Sequence, residues 1–207
     1  MNSEELKKLF IDRGALLNGH FLLSSGLHSD QYLQCALLLS DPQIAEKLGK
    51  ALAEKLKEKP DLVLSPAIGG IVIGQEVAKA LGIRHFFAER ENGKMVLRRG
   101  FSLSQGQKCV VVEDVVTTGG SSKEVIDMAD SKGVQTLSVL SIADRSSGPH
   151  KFKVPLESLL KIKIETFNPA HCPLCREGSP AVKPGSRPSI GKEASPLDSL
   201  ENGRPTP

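Results

Sequence analysis

The stretch VVVEDVVTTGGSSKEV, residues 110–125, decides the fold of this chain. Its valines predict a buried strand, and the residues after Ser121 follow the spacing of a helix, so the small residues between them form a turn. Glu113 and Asp114 come near the end of the strand, on opposite faces because side chains alternate. Ligands of open α/β sheets bind outside the carboxyl ends of the strands. The sequence therefore predicts a binding site at this point of the sheet.

The loop between strand and helix indicates the kind of ligand. Glycines let backbone N–H groups converge on an anion, hydroxyl side chains add donors, and the helix N-terminus adds partial positive charge. Such a loop suits a phosphate monoester, and the two carboxylates suit the hydroxyls of a ribose or a bridging metal, so we expect a ribose 5-phosphate. The alternative is a plain strand and helix, with Ser121 or Ser122 as the cap and both acids in solvent. The pattern G-x-x-x-x-G-K-[ST] of a Walker loop is missing from the sequence.

The rest of the chain alternates strands with helices, which favours an α/β fold with a mostly parallel central sheet flanked by helices. Strands are predicted at residues 61–67, 85–90, 108–115, 135–145 and 159–167, and helices at 71–81 and 121–133. A small N-terminal hood region precedes them. Its predicted parts are a helix from a cap at Ser3 to about residue 17, a strand pair turning at Ser25, and a helix from a cap at Asp41 to about residue 57.

The composition excludes several classes of function. Aromatic residues make up 4% of the chain and there is no Trp, so base stacking on aromatic platforms is not expected. A net charge of +3 does not indicate nucleic-acid binding. Apolar runs are far shorter than the ~20 residues of a membrane span, and the N-terminus lacks the apolar core of a signal peptide. With four Cys and no secretion signal, we expect a cytoplasmic protein that binds no membrane.

The motif VVVEDVVTTGGS resembles the ribose-phosphate-binding motif of the type I phosphoribosyltransferases. These enzymes bind 5-phosphoribosyl 1-pyrophosphate (PRPP) with Mg²⁺ and replace its pyrophosphate with a nitrogenous base. The resemblance implies their fold, and it implies that the two acids contact the ribose hydroxyls while the loop holds the 5-phosphate. Mg²⁺ would bind through PRPP, with Asp114 as the candidate protein ligand. The implied PRPP contacts here are Glu113, Asp114, Val115, Val116, Thr117, Thr118, Gly119, Gly120 and Ser121.

Two further segments resemble the orotate enzymes of this family. GHFLLSSGLHSDQYL, residues 19–33, contains F-x-L-x-S-G, which is recurrent before the core of orotate phosphoribosyltransferases and unusual in the purine enzymes. IADRSSG, residues 142–148, matches the place where the orotate enzymes have an arginine for the base. The resemblance implies that Arg145 binds orotate, whose carboxylate and ring edges suit a guanidinium fork, and that Thr117 is a second contact. The implied product is orotidine 5′-phosphate, in pyrimidine (UMP) biosynthesis.

ERENGKMVLRRG, residues 89–100, matches the position of the family's mobile loop. In the family, this loop closes over the partner subunit's active site in a homodimer and brings cations to the pyrophosphate. The resemblance implies that Arg90 and Lys94 bind PRPP, and that Lys94 acts in catalysis with Glu113 and Asp114. The alternative is a solvated edge strand that its charges keep soluble.

The chain departs from the family pattern at several of these positions. The loop is shorter, Glu91 stands where a lysine is usual, and Val96 replaces a histidine; Arg98 and Arg99 are candidates to replace the lost charge. Lysines found in many relatives are replaced by Ser24 in the first segment and by Gly69 in SPAIGG, residues 65–70. That segment matches the pyrophosphate loop, and the resemblance implies that backbone N–H groups there bind PRPP, through a strained peptide bond. The residues concerned are Ala67, Ile68 and Gly69.

The resemblance covers residues 1–167, which we predict to be the phosphoribosyltransferase domain. Residues 168–207 are rich in Pro, Gly, Ser and Lys, and they cannot bury enough surface to offset their ordering entropy. They are predicted to be a flexible tail, with docking of part of it as an extended arm as the alternative. The tail begins with a CxxC next to a histidine, and His171, Cys172 and Cys175 could hold a metal, form a redox pair or be inert.

Three other functions remain open at this stage. A purine-using enzyme of the same superfamily would not need the F-x-L-x-S-G segment. A regulator that senses PRPP and binds nucleic acid would need a helix-turn-helix or a broad basic face, and catalysis with Mg²⁺ would exclude it. The chain could also be part of a fusion whose tail joins a decarboxylase for the next step.

Overall fold

The computed structural model describes residues 1–23, 25–146 and 148–184. An antiparallel pair comes first, β1 (Leu16–Leu22) with β2 (His28–Leu33), and the main sheet follows. Its strands are β3 (Leu62–Pro66), β4 (Arg84–Glu91), β5 (Lys94–Leu97), β6 (Lys108–Val116), β7 (Gln135–Asp144) and β8 (Leu156–Lys161). The sheet has the order β5-β4-β3-β6-β7-β8, and only the β4–β5 pair is antiparallel. The predicted mostly parallel α/β sheet is confirmed.

Helices cover both faces of this sheet. They are α1 (Ser3–Asp12), α2 (Cys35–Leu39), α3 (Pro42–Ala53), α4 (Gly70–Leu81), α5 (Gly120–Asp130) and the single turn α6 (Pro173–Arg176), which a 3₁₀ turn at Pro169–His171 precedes. None of the helices in the described ranges is long and apolar enough to cross a membrane.

Local sequence signals explain where several helices begin and end. The Asp41 carboxylate caps α3 by accepting from the N–H groups of Gln43 and Ile44, as predicted. Gly82 ends α4 in the left-handed conformation, at φ 67°, as its position predicts. The predicted cap at Ser3 is wrong, because Asn2 caps α1 in a reciprocal pair with Glu5.

The ends of several other elements also differ from prediction. The helix that begins after Asp41 stops at Ala53 instead of about residue 57, and α5 stops at Asp130 instead of residue 133. The first helix stops at Asp12, since the chain turns through Gly14 at φ 60° and enters β1 instead of continuing to residue 17. The last strand ends at Lys161, so residues 162–167 leave the sheet, and Phe167 pairs with His28 of β2.

The residues of β6 alternate between two hydrophobic clusters, one on each face of the sheet. Val110 and Val112 pack in the cluster that contains α1, α3 and α4, whereas Cys109 and Val111 pack in the cluster that contains α5. All four are fully buried, and each such side chain contributes roughly 1.5–3 kcal/mol through burial. This alternation sets the directions in which the following residues, Glu113 and Asp114, point.

Residues 168–184 differ from the flexible tail predicted from residue 168 onward. Val182 donates its N–H to the carbonyl of His20 and accepts from the N–H of Leu22, at 2.8 and 2.9 Å. Cys172 is 1% exposed. This segment therefore docks along β1, as the alternative had it, because backbone pairing with a strand edge adds to the small apolar area available. Residues 185–207 lie outside the described residues.

Candidate active site at the carboxyl ends of the strands

Glu113 and Asp114 lie near the end of β6 and point to opposite faces of the sheet. Glu113 extends toward α5, where the Ser122 hydroxyl donates a hydrogen bond to its carboxylate. Burial raises the pKa of Glu113 to about 7, with the neighbouring charge of Asp114 adding to the rise and the Ser122 hydrogen bond opposing it. This carboxyl group is therefore poised to gain or lose a proton near neutral pH.

Asp114 faces the loop between β3 and α4. Its carboxylate accepts the N–H of Val115 at 2.8 Å, and burial raises its pKa although this hydrogen bond opposes the rise. A Cβ atom on Gly69 would lie 2.6 Å from Asp114 Oδ1, so this position has room only for glycine. The Ala67–Ile68 peptide bond is cis, and the Ile68 side chain is 85% exposed.

The loop after β6 presents donors at the start of α5. Thr117 and Thr118 are exposed, and Ser121 is half-buried in the first turn of the helix. Gly119 precedes the helix at φ 72°, and a Cβ there would meet the Phe152 ring at 2.5 Å. No side chain of the described residues caps α5, so its first N–H groups are available to an anion.

The alternative of a plain capped helix with solvated acids is wrong in two respects. The N-cap of α5 is Gly119, neither Ser121 nor Ser122. Both acids are also partly buried, and the hydroxyl of Ser122 is directed to Glu113.

Arg145 follows β7 and lies beside the same edge of the sheet. Its backbone N–H donates to the carbonyl of Val116 at 2.8 Å, which fixes it next to the loop between β6 and α5. Its side chain is half-buried, and burial lowers the pKa of the guanidinium. The buried Nε has no hydrogen-bond partner within the part of the chain that the structure describes. A buried donor of this kind calls for an acceptor from a ligand.

Tyr32 and Cys35 complete this side of the site, and the sequence analysis did not predict either of them. Burial raises the pKa of Tyr32, the charge of Asp114 adds to the rise, and Arg145 opposes it. Burial likewise raises the pKa of the Cys35 thiol, with the same two neighbours acting in the same directions. Tyr32 is the single tyrosine of the chain, and that rarity was the one available signal.

The basic segment at residues 89–100 forms an ordered hairpin here. β4 and β5 meet in a tight turn at Asn92 and Gly93, with φ 49° and 80°, and β5 is the edge strand of the sheet. This arrangement is the solvated edge strand that was the alternative to a mobile loop. The turn is so short that it leaves no long loop between the two strands.

The charges of this hairpin lie mostly in ion pairs. Arg90 binds both carboxylate oxygens of Glu124 on α5, at 2.9 and 3.0 Å. Arg99 binds Glu89 in the same two-pronged way, and Lys94 is exposed at the start of β5. Arg98 lies 3.8 Å from Glu91. Arg90 and Lys94 thus lie on the hairpin, outside the group formed by Asp114, the phosphate loop and Arg145.

Two further features that the sequence singled out are Ser24 and the CxxC with its histidine. Ser24 lies outside the described residues. His171 is exposed in the 3₁₀ turn, whereas Cys172 and Cys175 lie close to His20 and His28 of the strand pair.

The family is shown by comparison with known proteins. Residues 36–172 match the model of the phosphoribosyl transferase domain. An orotate phosphoribosyltransferase of Carboxydothermus hydrogenoformans is 55% identical over 186 residues, which cover 88% of this chain and 97% of the relative. The chain belongs to the orotate phosphoribosyltransferase family. A further member, from Caldanaerobacter subterraneus subsp. tengcongensis, is 51% identical over 188 residues, or 90% of this chain and 99% of the relative.

A solved structure of the family agrees with the fold. The orotate phosphoribosyltransferase of Aeropyrum pernix is 28% identical, and it superposes with a TM-score of 0.65 over 76% of this chain and 93% of its own. The type I phosphoribosyltransferase fold predicted from residues 110–125 is therefore confirmed.

Proposed function

We propose that this member of the family transfers the ribose 5-phosphate group of PRPP to orotate, giving orotidine 5′-phosphate and pyrophosphate in pyrimidine synthesis. One observation carries the proposal. A loop of N–H and hydroxyl donors, a partly buried carboxylate and a half-buried guanidinium whose buried Nε is unpaired, within the described part of the chain, meet at one edge of the sheet. These groups match the phosphate, the ribose and the acidic base of the two substrates.

The 5-phosphate binds at the start of α5. The N–H groups of the first helical turn and the Thr117, Thr118 and Ser121 hydroxyls supply donors, and the helix dipole favours the negative charge. Glu113 and Asp114 accept hydrogen bonds from the ribose hydroxyls. The opposite directions of the two side chains at the end of β6 support contacts to the ribose from two sides.

Orotate binds beside Arg145. The guanidinium donates hydrogen bonds to the orotate carboxylate, and one of them satisfies the unpaired Nε. Thr117 follows Val116, whose carbonyl accepts the Arg145 N–H, so Thr117 can contribute a second contact to orotate. Tyr32 and Cys35 close this side of the site. A buried cation discriminates in favour of an anionic base, because a neutral purine would leave the guanidinium unpaired.

Mg²⁺ fits the acidic side of the site. Burial raises the pKa of Asp114, so its ionised form needs a nearby positive charge, and carboxylate oxygen is a preferred ligand of this metal. Asp114, the carboxylate beside the Gly69 loop, would hold the ion together with PRPP oxygens. When bound, Mg²⁺ neutralises the charge of the leaving pyrophosphate. The N–H groups of Ile68, Gly69 and Gly70 add donors for the same group. The predicted contribution of Ala67 is wrong, because its N–H donates to the carbonyl of Ala88 at 2.8 Å.

The reaction needs no protein nucleophile. As the bond from the ribose C1 to pyrophosphate breaks, positive charge develops on C1 and the ring oxygen, as in glycoside chemistry, and the orotate nitrogen attacks the opposite face. The ionised carboxylate of Glu113 stabilises that charge electrostatically. Lys94 and Arg90 act on the pyrophosphate if the hairpin of a partner subunit reaches the site, so the homodimer with shared active sites belongs to this proposal. The cytoplasmic location remains a prediction.

The first test measures orotate consumption with PRPP, with and without Mg²⁺, against adenine, hypoxanthine and guanine as competing bases. We expect turnover of orotate only, and only with Mg²⁺. Arg145→Lys should raise the KM for orotate roughly 10-fold or more while the KM for PRPP stays constant, since lysine keeps the charge and loses the fork. Arg84→Lys, at the exposed start of β4, is the matched control. Turnover of a purine would overturn the base assignment.

A mixing experiment tests the shared site. Lys94→Ala and Asp114→Asn are each expected to inactivate the enzyme, but a hybrid dimer would contain one site with both native groups. Activity that returns on mixing the two variants supports a hairpin acting in trans. If the mixture stays inactive although the subunits exchange, the proposal that the hairpin acts in trans is wrong.

A further inference from the structure

Four potential metal ligands meet where the docked segment crosses the strand pair. They are His20 of β1, His28 of β2, and Cys172 and Cys175 at the two ends of the CxxC, and their ligand atoms all lie within 4.8 Å of one another. Both histidines and Cys172 are buried, at 5%, 8% and 1% exposure. All four cysteines of the chain are free thiols. We call this group the Cys/His cluster.

The distances in the Cys/His cluster are close to those of a tetrahedral zinc site. Such a site, with Zn–N of about 2.0 Å and Zn–S of about 2.3 Å, separates its ligand atoms by roughly 3.3–3.8 Å. His20 Nε2 lies 3.5 Å from Cys172 Sγ and 3.8 Å from Cys175 Sγ, and His28 Nδ1 lies 3.3 Å from Cys175 Sγ. The two ring nitrogens lie 2.8 Å apart and would need to separate by about 0.5 Å.

A hydrogen bond outside the cluster prepares His20 for this role. His20 Nδ1 lies 2.7 Å from the carbonyl oxygen of Ser179, to which it can only donate, so the proton is on Nδ1 and the lone pair of Nε2 faces the cluster. Metal-bound histidines commonly make this contact through the second ring nitrogen, because it fixes the tautomer and the ring orientation.

Backbone pairing holds the ligand residues in place. His28 exchanges both backbone hydrogen bonds with Phe167, at 2.9 and 2.8 Å. The carbonyl of His20 accepts from Val182, beyond the CxxC. The chain therefore approaches the strand pair on either side of the two cysteines, and it places them over two histidines that are far away in sequence.

We propose that the Cys/His cluster binds one structural Zn²⁺. Two thiolates and two imidazoles suit zinc, and they do not suit the oxygen-preferring Mg²⁺ that the reaction uses. Four protein ligands leave no open position for substrate or water, so the ion stabilises the fold and takes no part in chemistry. It joins the segment that contains the CxxC to the hood across 152 residues of sequence. His171, which the sequence suggested as the third ligand, is outside the cluster.

The test uses the full chain purified under reducing conditions without a histidine tag. We expect one zinc per chain by elemental analysis, and loss of that zinc in Cys172→Ser and in His20→Gln. His171→Ala is the matched control, since it removes the histidine adjacent to the CxxC and should retain the metal. Zinc lost from His171→Ala but kept in His20→Gln would overturn the ligand set.

A second measurement does not depend on whether the variants fold. The wild-type chain, stripped of metal with a chelator, is titrated with Co²⁺. We expect visible bands of tetrahedral cobalt and a thiolate charge-transfer band that both saturate at one equivalent, and zinc should displace them. Re-addition of zinc should also raise the Tm of the stripped wild type. No bands and no zinc in the reduced chain would overturn the proposal, as would an intact mass that shows a Cys172–Cys175 disulfide in the freshly purified protein.

Discussion

The sheet edge and the docked segment are built in opposite ways. At the sheet edge, residues 113–121 form one continuous stretch in which strand, loop and helix each supply a part of the site. In the docked segment, residues 168–184, the hydrogen bonds that attach it to the strand pair reach residues more than a hundred positions away, such as His20 and Leu22. The first region is local in sequence and the second is not. The difference decides which of them a sequence pattern can predict.

The largest effect should come from Asp114→Asn. This change removes the charge that we propose to bind Mg²⁺ and ribose while keeping the shape of the side chain, and loss of one such electrostatic contact costs roughly 10²–10³ in kcat. Initial rates of orotate consumption measure it, and the Tm should not fall. A variant with normal rates would show that the local stretch is not the active site.

A smaller loss is expected for Gly69→Ala. The added Cβ would lie 2.6 Å from Asp114 Oδ1, so either the loop or the carboxylate must move. A displacement of about 1 Å near reacting groups can cost on the order of 10²-fold in rate. Gly148→Ala is the control, because a Cβ there meets nothing within 4 Å. If the two variants have equal activity, the β3–α4 loop does not contribute to the site.

The pH dependence of stability should reveal Glu113. Its pKa is raised from 4.5 to about 7, so the native state binds more protons than the unfolded state between those values. The stabilisation is therefore fully present below pH 4.5 and is lost as the pH rises to about 7, by up to about 3 kcal/mol. Glu113→Gln should flatten this part of the curve, as measured by urea unfolding of the unliganded protein. An unchanged slope would contradict the shifted pKa.

The smallest effect tests the other region. Val182→Pro removes the N–H that pairs with the carbonyl of His20, and one such bond is worth about 1 kcal/mol, which lowers the Tm by roughly 2–4 °C in a chain of this size. Val182→Ala, at a side chain that is 58% exposed, should change it little. The catalytic rate should be unaffected in both. If the proline variant loses activity but keeps its Tm, the docked segment acts on the site and the two regions are not separate.

Much of the sheet edge could be predicted because its signals are local. The valine run, the acids and the glycines of residues 110–120 each have a meaning that depends on near neighbours, and so do the cap at Asp41 and the end of α4 at Gly82. Tyr32 and Cys35 could not be placed beside Arg145, because nothing in their own segments refers to the end of β7.

The docked segment shows the same limit. Composition alone predicted a tail, since apolar residues are few, but it does not register backbone pairing with a strand edge. The CxxC left a metal site, a redox pair and an inert turn open, and the only histidine that the pattern offered as a metal ligand was the adjacent His171. In the structure, His20 and His28, from the other end of the chain, lie beside the two cysteines instead. Similarly, the pairing of Arg90 with Glu124 depends on where α5 packs against the hairpin, which the basic pattern does not contain.

The alternating directions of the side chains along β6 have a consequence for how enzymes of this family can change their preferred base. The spacing between Glu113 and Asp114 is set by the pleat of one strand, and neither the length of a loop nor the position of the hood can alter it. In the proposed site, the base is bound mainly by Arg145, which follows β7 and so belongs to another element. A substitution of Arg145 that changes the preferred base would therefore leave the relative positions of the two carboxylates on β6 unchanged.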